Sequence, residues 1–194
     1  MKPAEPARLL RYLERYPDDV RALHILYKWY RKQGRLDEAY GTLRRALDAA
    51  PTDVWTHLYI GNMAYEERDW DTALIWFEFA ALLAPDIPPP LWGQADVYEF
   101  QGRQDLAELY FRKAVELDPD DEQSARLYAN WRLRRLVEQA HQHRAEGRTD
   151  AADACIREIQ ELAPDSDWTH RFLEEWYRPP DGPDDHPSEA NSGA

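Results

Sequence analysis

Three observations predict an all-α array of stacked helix-turn-helix repeats. Small and aromatic residues recur every 34 positions: Ala39, Ala73 and Ala107; Ala46, Ala80 and Ala114; Leu43, Phe77 and Phe111. Prolines keep the same interval at Pro17, Pro51, Pro85 and Pro119. Between these marks the apolar residues keep helical spacing, as Leu23, Leu26, Tyr27 and Tyr30 do. A fixed period of this length marks a repeat array, in which each unit buries its apolar face against its neighbours.

Residues 1–19 hold a half-unit. Pro3 and Pro6 precede Leu9, Leu10, Tyr12 and Leu13, and Pro17 falls in register with the later prolines. This reads as one N-terminal capping helix, covering an array end that would otherwise be exposed. Its other reading is a homodimer contact, since a lone amphipathic helix at an array end is readily exchanged.

Regular units follow at 20–53, 54–87 and 88–121. In the first, Gly34 breaks the helical pattern where a left-handed backbone costs little without a Cβ. A second helix then places Leu36, Ala39, Leu43, Ala46 and Leu47 on one face, and Pro51 ends it. The alanine columns let helices approach closely, so that large residues of one fill gaps in the next. Ile87-Pro88-Pro89-Pro90 opens the third unit, where proline is tolerated because first-turn amides lack partners in any case.

After Asp121 the period breaks, and Pro164 comes 45 residues after Pro119. One long helix is predicted from about Glu122 to Glu146, then a turn at Gly147. Ala152, Ile156 and Ile159 then reproduce the second-helix columns. Residues 122–166 are thus an extended fourth repeat. A C-terminal capping helix, 167–177, carries Trp168, Phe172, Leu173 and Trp176. Residues 178–194 are too poor in apolar side chains to order themselves and read as a disordered acidic tail.

The columns resemble the tetratricopeptide repeat. In the second unit the matching residues are Ile60, Gly61, Tyr65, Ala73, Phe77, Ala80 and Pro85; in the third they are Ala95, Tyr98, Gly102, Ala107, Phe111, Ala114 and Pro119. The chain departs from the pattern at Tyr27, where a small residue is usual, at Arg68, where glycine is usual, and at Gln94, where an apolar residue is usual. The resemblance implies a right-handed superhelix of about four repeats plus caps. Such a repeat is a platform for binding and carries no chemistry of its own.

Composition narrows the function. The net charge of −13 argues against nucleic acid and against an anionic membrane surface as the main ligand. The charge is uneven: residues 1–50 carry eleven Lys and Arg against seven Asp and Glu, whereas residues 51–121 carry four against fifteen. Cys155, the single cysteine, sits in a helical pattern and reads as a buried structural thiol. No apolar signal core or membrane span is present, so a cytoplasmic protein is expected. Arginine greatly outnumbers lysine, a usage expected of a GC-rich bacterial source.

No phosphate loop, HExxH, CxxC or nucleophile elbow occurs, so an enzyme is not expected and no cofactor is implied. His141 and His143 are two apart on a helix and cannot readily face one ion, so no metal site is expected.

In the family resembled, the first helix of each unit lines a concave surface. Carried over, this implies a peptide-binding groove. The first unit supplies Arg21, His24, Lys28 and Arg31. The second supplies Trp55, Leu58, Tyr59, Asn62 and Tyr65, and the third Trp92, Asp96 and Glu99. The fourth adds Val137, His141 and Arg144. Trp55 and Trp92 could instead pack between repeats. Family members that grip the acidic C-termini of heat-shock chaperones use a clamp of Lys and Asn. The matching places here hold His24, Lys28, Tyr59, Pro89 and Gly93, of which only Lys28 fits, so such tails are not expected as ligands.

The expected function is non-enzymatic: a protein or peptide segment held in the groove, as an assembly adaptor or scaffold. The alternative is a cytoplasmic chaperone for a secreted or translocator protein. Small acidic proteins with three tetratricopeptide repeats fill that role in type III secretion, and this chain is similar to them in size, acidity and repeats.

Overall fold

The computed structural model describes residues 6–178, whose regular elements are all α-helices. In chain order they are α1 (Ala7–Arg15), α2 (Val20–Lys32), α3 (Leu36–Ala49), α4 (Val54–Glu66), α5 (Trp70–Leu83), α6 (Pro89–Phe100), α7 (Gln104–Leu117), α8 (Glu122–Ala145), α9 (Thr149–Leu162) and α10 (Asp167–Trp176). The segment expected to be a disordered tail lies outside the described residues except for Arg178, as do residues 1–5. Internal contacts divide the chain into two compact units inside α8, the first ending at Asn130 and the second beginning at Trp131.

In the first unit, α2 packs on α3, α4 on α5 and α6 on α7. The alanine columns sit at these crossings, and Ala39, Ala46, Ala73, Ala80, Ala107 and Ala114 are all fully buried. A larger side chain there would force the helices apart. Helices also approach closely around Phe77. A Cβ at Gly61 would stand 2.7 Å from its ring, and a Cβ at Gly93 would stand 2.6 Å from it. Two glycines on α4 and α6 therefore make room for one aromatic ring of α5.

The turn between the paired helices is the same each time. The amides of Arg35, Asp69, Arg103 and Arg148 reach back five residues to the carbonyls of Tyr30, Ala64, Tyr98 and His143. This closes the helix end with a residue in the left-handed region. Gly34, Gly102 and Gly147 have φ of 71°, 75° and 72° there, and Arg68 takes the same place at 62°. The departure from the repeat pattern at Arg68 is thus met by backbone strain rather than by a different turn.

First helices start on aspartate. Asp19, Asp53 and Asp121 accept from the amides of Ala22, Thr56 and Ser124, three residues on. Each satisfies an amide that the helix leaves without a partner. At α6 the prolines replace this cap, and Pro88 precedes the first turn with no side-chain bond.

The second unit has its own core. Leu136 and Ala140 of α8 meet Ala152, Cys155, Ile156 and Ile159 of α9 and Trp176 of α10. Cys155 is buried, and burial pushes its thiol up. No helix among the described residues is long and apolar enough to cross a membrane.

Candidate functional site: a groove along the first helices

Within the first unit, α4, α6 and the start of α8 enclose a cavity of about 500 Å³. Trp55, Leu58, Tyr59 and Asn62 line it from α4, Pro89, Trp92, Gly93 and Asp96 from α6, and Gln123 and Leu127 from α8. A second cavity of about 240 Å³ shares Asn62, Gly93 and Asp96 with the first and adds Arg31, Tyr65, Glu66 and Phe77. The volume and mostly apolar lining of the larger cavity suit a bound segment's side chains, whereas the smaller one is lined largely by polar residues.

The repeat explains why space is left here. Trp55, Pro89 and Gln123 form one column 34 apart, and Tyr59, Gly93 and Leu127 form the next. In both columns the middle member is small or compact. Gly93 lines both cavities, and the place its side chain would take is filled by the Phe77 ring, which lines the smaller one.

Tyr59 is the hub of the aromatic wall. Its ring lies 6.4 Å from Trp55, 5.1 Å from Tyr27 and 4.9 Å edge-on from His24. The Lys28 ammonium sits 4.9 Å over it, a contact that attracts a cation to the ring face. Trp55 is 48% exposed, so its ring is open to a ligand. Trp92 both lines the cavity and joins two repeats, because its indole N–H donates to Ser124 Oγ at 2.8 Å.

Of the remaining expected groove residues, Arg31 and Tyr65 line the smaller cavity. Arg31 Nε donates to Glu66 Oε2 at 3.2 Å, and its Nη2 pairs with Oε1 of the same carboxylate. Glu66 thereby holds the guanidinium charged, raising it further above its ordinary value. Tyr65 also packs edge-on to Trp70 and Phe100, which stack on each other 5.6 Å apart.

Arg21 and Glu99 line neither cavity. His24 is turned into the junction between α2 and α4, where its Nε2 lies 2.7 Å from Thr56 Oγ1. The Thr56 hydroxyl donates to Asp53 at 2.8 Å, so the histidine donates and carries its proton on Nε2. Burial pulls its pKa below the ordinary range against the opposing pull of Asp53.

The three residues expected from the fourth repeat lie in the second unit. Val137 packs on that unit's core, and the His141 ring meets Trp176 at 5.1 Å and Phe172 at 6.1 Å. Arg144 lies 4.8 Å over Trp176 and donates to its carbonyl at 3.0 Å. His141 and Arg144 nevertheless stay exposed, and Arg144 lines a cavity of about 310 Å³ with Trp176 and Tyr177. The residues missed were Pro89 and Gly93, met only as places where a clamp is lacking, and Gln123 and Leu127. Extending the two columns by one more period would have found the last pair.

Tetratricopeptide-repeat family models match residues 22–54 and 91–121. No curated protein sequence matches the chain. Among solved structures, the chain is similar to PilF of Pseudomonas aeruginosa, at 18% identity, a TM-score of 0.58 and 86% of each chain covered. It is similar to MamA at 17% identity and a TM-score of 0.56, over 80% of this chain and 85% of that one. It is also similar to YrrB, described as a repeat protein of this kind with an unusual peptide-binding site. That match has 14% identity and a TM-score of 0.57, over 86% of this chain and 97% of that one.

Proposed function

Because the chain is a tetratricopeptide-repeat protein, we propose that it is a non-enzymatic interaction module that holds a segment of a partner protein along its first helices. The observation that carries this reading is the 500 Å³ cavity between Trp55, Tyr59 and Trp92, which are brought together from two successive repeats. Large aromatic side chains with few rotatable bonds give much contact area for little lost entropy, and such residues commonly dominate binding energy. The peptide-binding site named for YrrB is in keeping with this role.

The module acts as an assembly adaptor or scaffold. Heat-shock C-terminal tails are not its ligands, because Pro89 and Gly93 stand in the lining where a clamp needs donors.

The test is a comparative capture from the native cell. One bait is the wild-type chain; the other carries Trp55→Ala, with circular dichroism showing it folded. Trp55 is half-exposed, so its removal leaves the core in place. A partner held by the first and lost from the second supports the groove. A partner held equally by both sinks it.

A further inference from the structure

Resting on the groove reading above, we propose that the partner segment is acidic at one end: an apolar side chain fills the Trp55–Trp92 cavity, and Asp or Glu residues a few positions away meet Lys28 and Lys32 on α2.

The outer face of α2 carries this. Arg21, Ile25, Lys28 and Lys32 follow one another at intervals of four, three and four residues, so they share one side of the helix. All four are exposed, Ile25 at 58%. They stand one period before Trp55, Tyr59, Asn62 and Glu66, each of which lines one or other cavity. The face therefore continues the α4 wall onto the preceding first helix. Tyr59 joins the two directly: it lines the larger cavity, and the Lys28 ammonium lies 4.9 Å over its ring.

The cations of this face are not neutralised inside the protein. Their neighbour Arg31 is paired with Glu66. Among the described residues, no carboxylate stands within ion-pair distance of Arg21, Lys28 or Lys32. The contact with Tyr59 holds the Lys28 ammonium at the cavity's edge and leaves its charge uncompensated. A row of cations without counter-charges attracts carboxylates, and Ile25 among them gives the acidic end of the segment an apolar contact.

The rest of the groove fixes the direction. Residues 51–121 carry fifteen acidic against four basic side chains. A ligand carboxylate is thus favoured at α2 and disfavoured toward α6. The same gradient speaks against a nucleic acid, whose phosphates would lie against the acidic repeats as well as against α2. Neighbouring packed helices are about 10 Å apart, which an extended segment covers in about three residues. The acidic residues are expected about three to five positions from the anchor, since the cavity lies beyond α4.

The test is selection from a phage-displayed library of random dodecapeptides against the full chain, followed by fluorescence anisotropy of the enriched peptides. The expected sequences place Asp or Glu at that distance from a large apolar residue. Replacing the acidic residues by Lys is expected to weaken binding ~10-fold or more, and added salt should weaken the acidic peptides too. Lys28→Glu with Lys32→Glu, shown folded by circular dichroism, should reverse the preference. Enriched peptides without acidic residues, or an acidic preference unchanged in the double variant, would overturn the proposal. So would an oligothymidine strand that binds as tightly as the peptides and is lost in the double variant, because the face would then be a general polyanion site. Trp55→Ala separates the two levels of the argument. If it weakens every peptide whatever its charge while the double variant does nothing, the groove stands and the acidic rule falls. If only the double variant weakens binding, the segment does not use the cavity, and the anchor falls with the groove reading. If neither variant changes binding, or if no peptide is enriched, the groove reading falls and the acidic rule with it.

Discussion

The indole N–H of Trp92 and the hydroxyl of Ser124 are joined by a 2.8 Å hydrogen bond that crosses from one repeat to the next. Ser124 in turn donates to Asp121 at 2.6 Å, the residue that caps α8. The first junction is built alike, with His24, Thr56 and Asp53 at places 68 residues earlier. In the junction between them the same columns hold Leu58, Pro90 and Ile87, and apolar packing replaces the chain of hydrogen bonds. Two of the three junctions therefore tie a ring on one first helix to the cap of the next.

This tie predicts coupling between Trp92 and Ser124. In a double-mutant cycle with Trp92→Phe and Ser124→Ala, the two changes should be non-additive by about 1 kcal/mol, the worth of one hydrogen bond. Urea unfolding measures it. Additive effects would mean that the bond contributes nothing to stability.

The His24 junction predicts a pH dependence. Burial lowers the pKa of His24 in the folded chain, so the unfolded chain takes up the proton first as pH falls. Its stabilising contribution is complete above the unfolded value of about 6.5. It is lost as pH falls from there through the lower folded value. Relative to His24→Gln, the wild type should lose stability between neutral and mildly acidic pH, as read by chemical unfolding at each pH. A constant difference across that range would remove His24 as the cause.

Arg68 is strained where its three counterparts are glycines. Arg68→Gly should stabilise the fold, by about 1 kcal/mol from relief of the left-handed backbone. In a chain of this size that raises the melting temperature by roughly 2–4 °C. Gly102→Arg, the converse change, should lower it.

Gly61 and Gly93 leave room for the Phe77 ring. Gly93→Ala should cost ~1–3 kcal/mol, because its Cβ would stand 2.6 Å from that ring and the buried ring has little room to move. Phe77→Leu in the same chain should recover part of the loss. Thermal unfolding of the single and double variants reads both.

Much of the fold was legible because the 34-residue period states the helix pairs, the turns and the buried alanines in one pattern. The turn at Arg68 was visible as a departure, although whether it bent the chain or strained it was not. Where the columns are regular, residues expected on one face do come together: Trp55, Leu58, Tyr59, Asn62, Trp92 and Asp96 all line the larger cavity. His24 lines neither cavity; its partner Thr56 lies 32 residues away, and the middle repeat has no equivalent pair to reveal the contact. Val137, His141 and Arg144 line neither of the first unit's cavities; they lie on the second half of α8, which runs from Glu122 to Ala145 without glycine or proline. Nothing in its pattern says that α10 folds back over its second half. Gln123 and Leu127 were passed over for the related reason that the 34-residue units end at Asp121, whereas these two columns run on into α8.

The most direct measurement is site-specific photocrosslinking in the native cell. A benzophenone amino acid is placed either at position 55, in the cavity wall, or at position 75, where Ile75 is half exposed on α5 outside both cavities. The account predicts a discrete partner adduct from position 55 and none from position 75. An adduct from position 75 alone would contradict it and move the binding surface to the second helices.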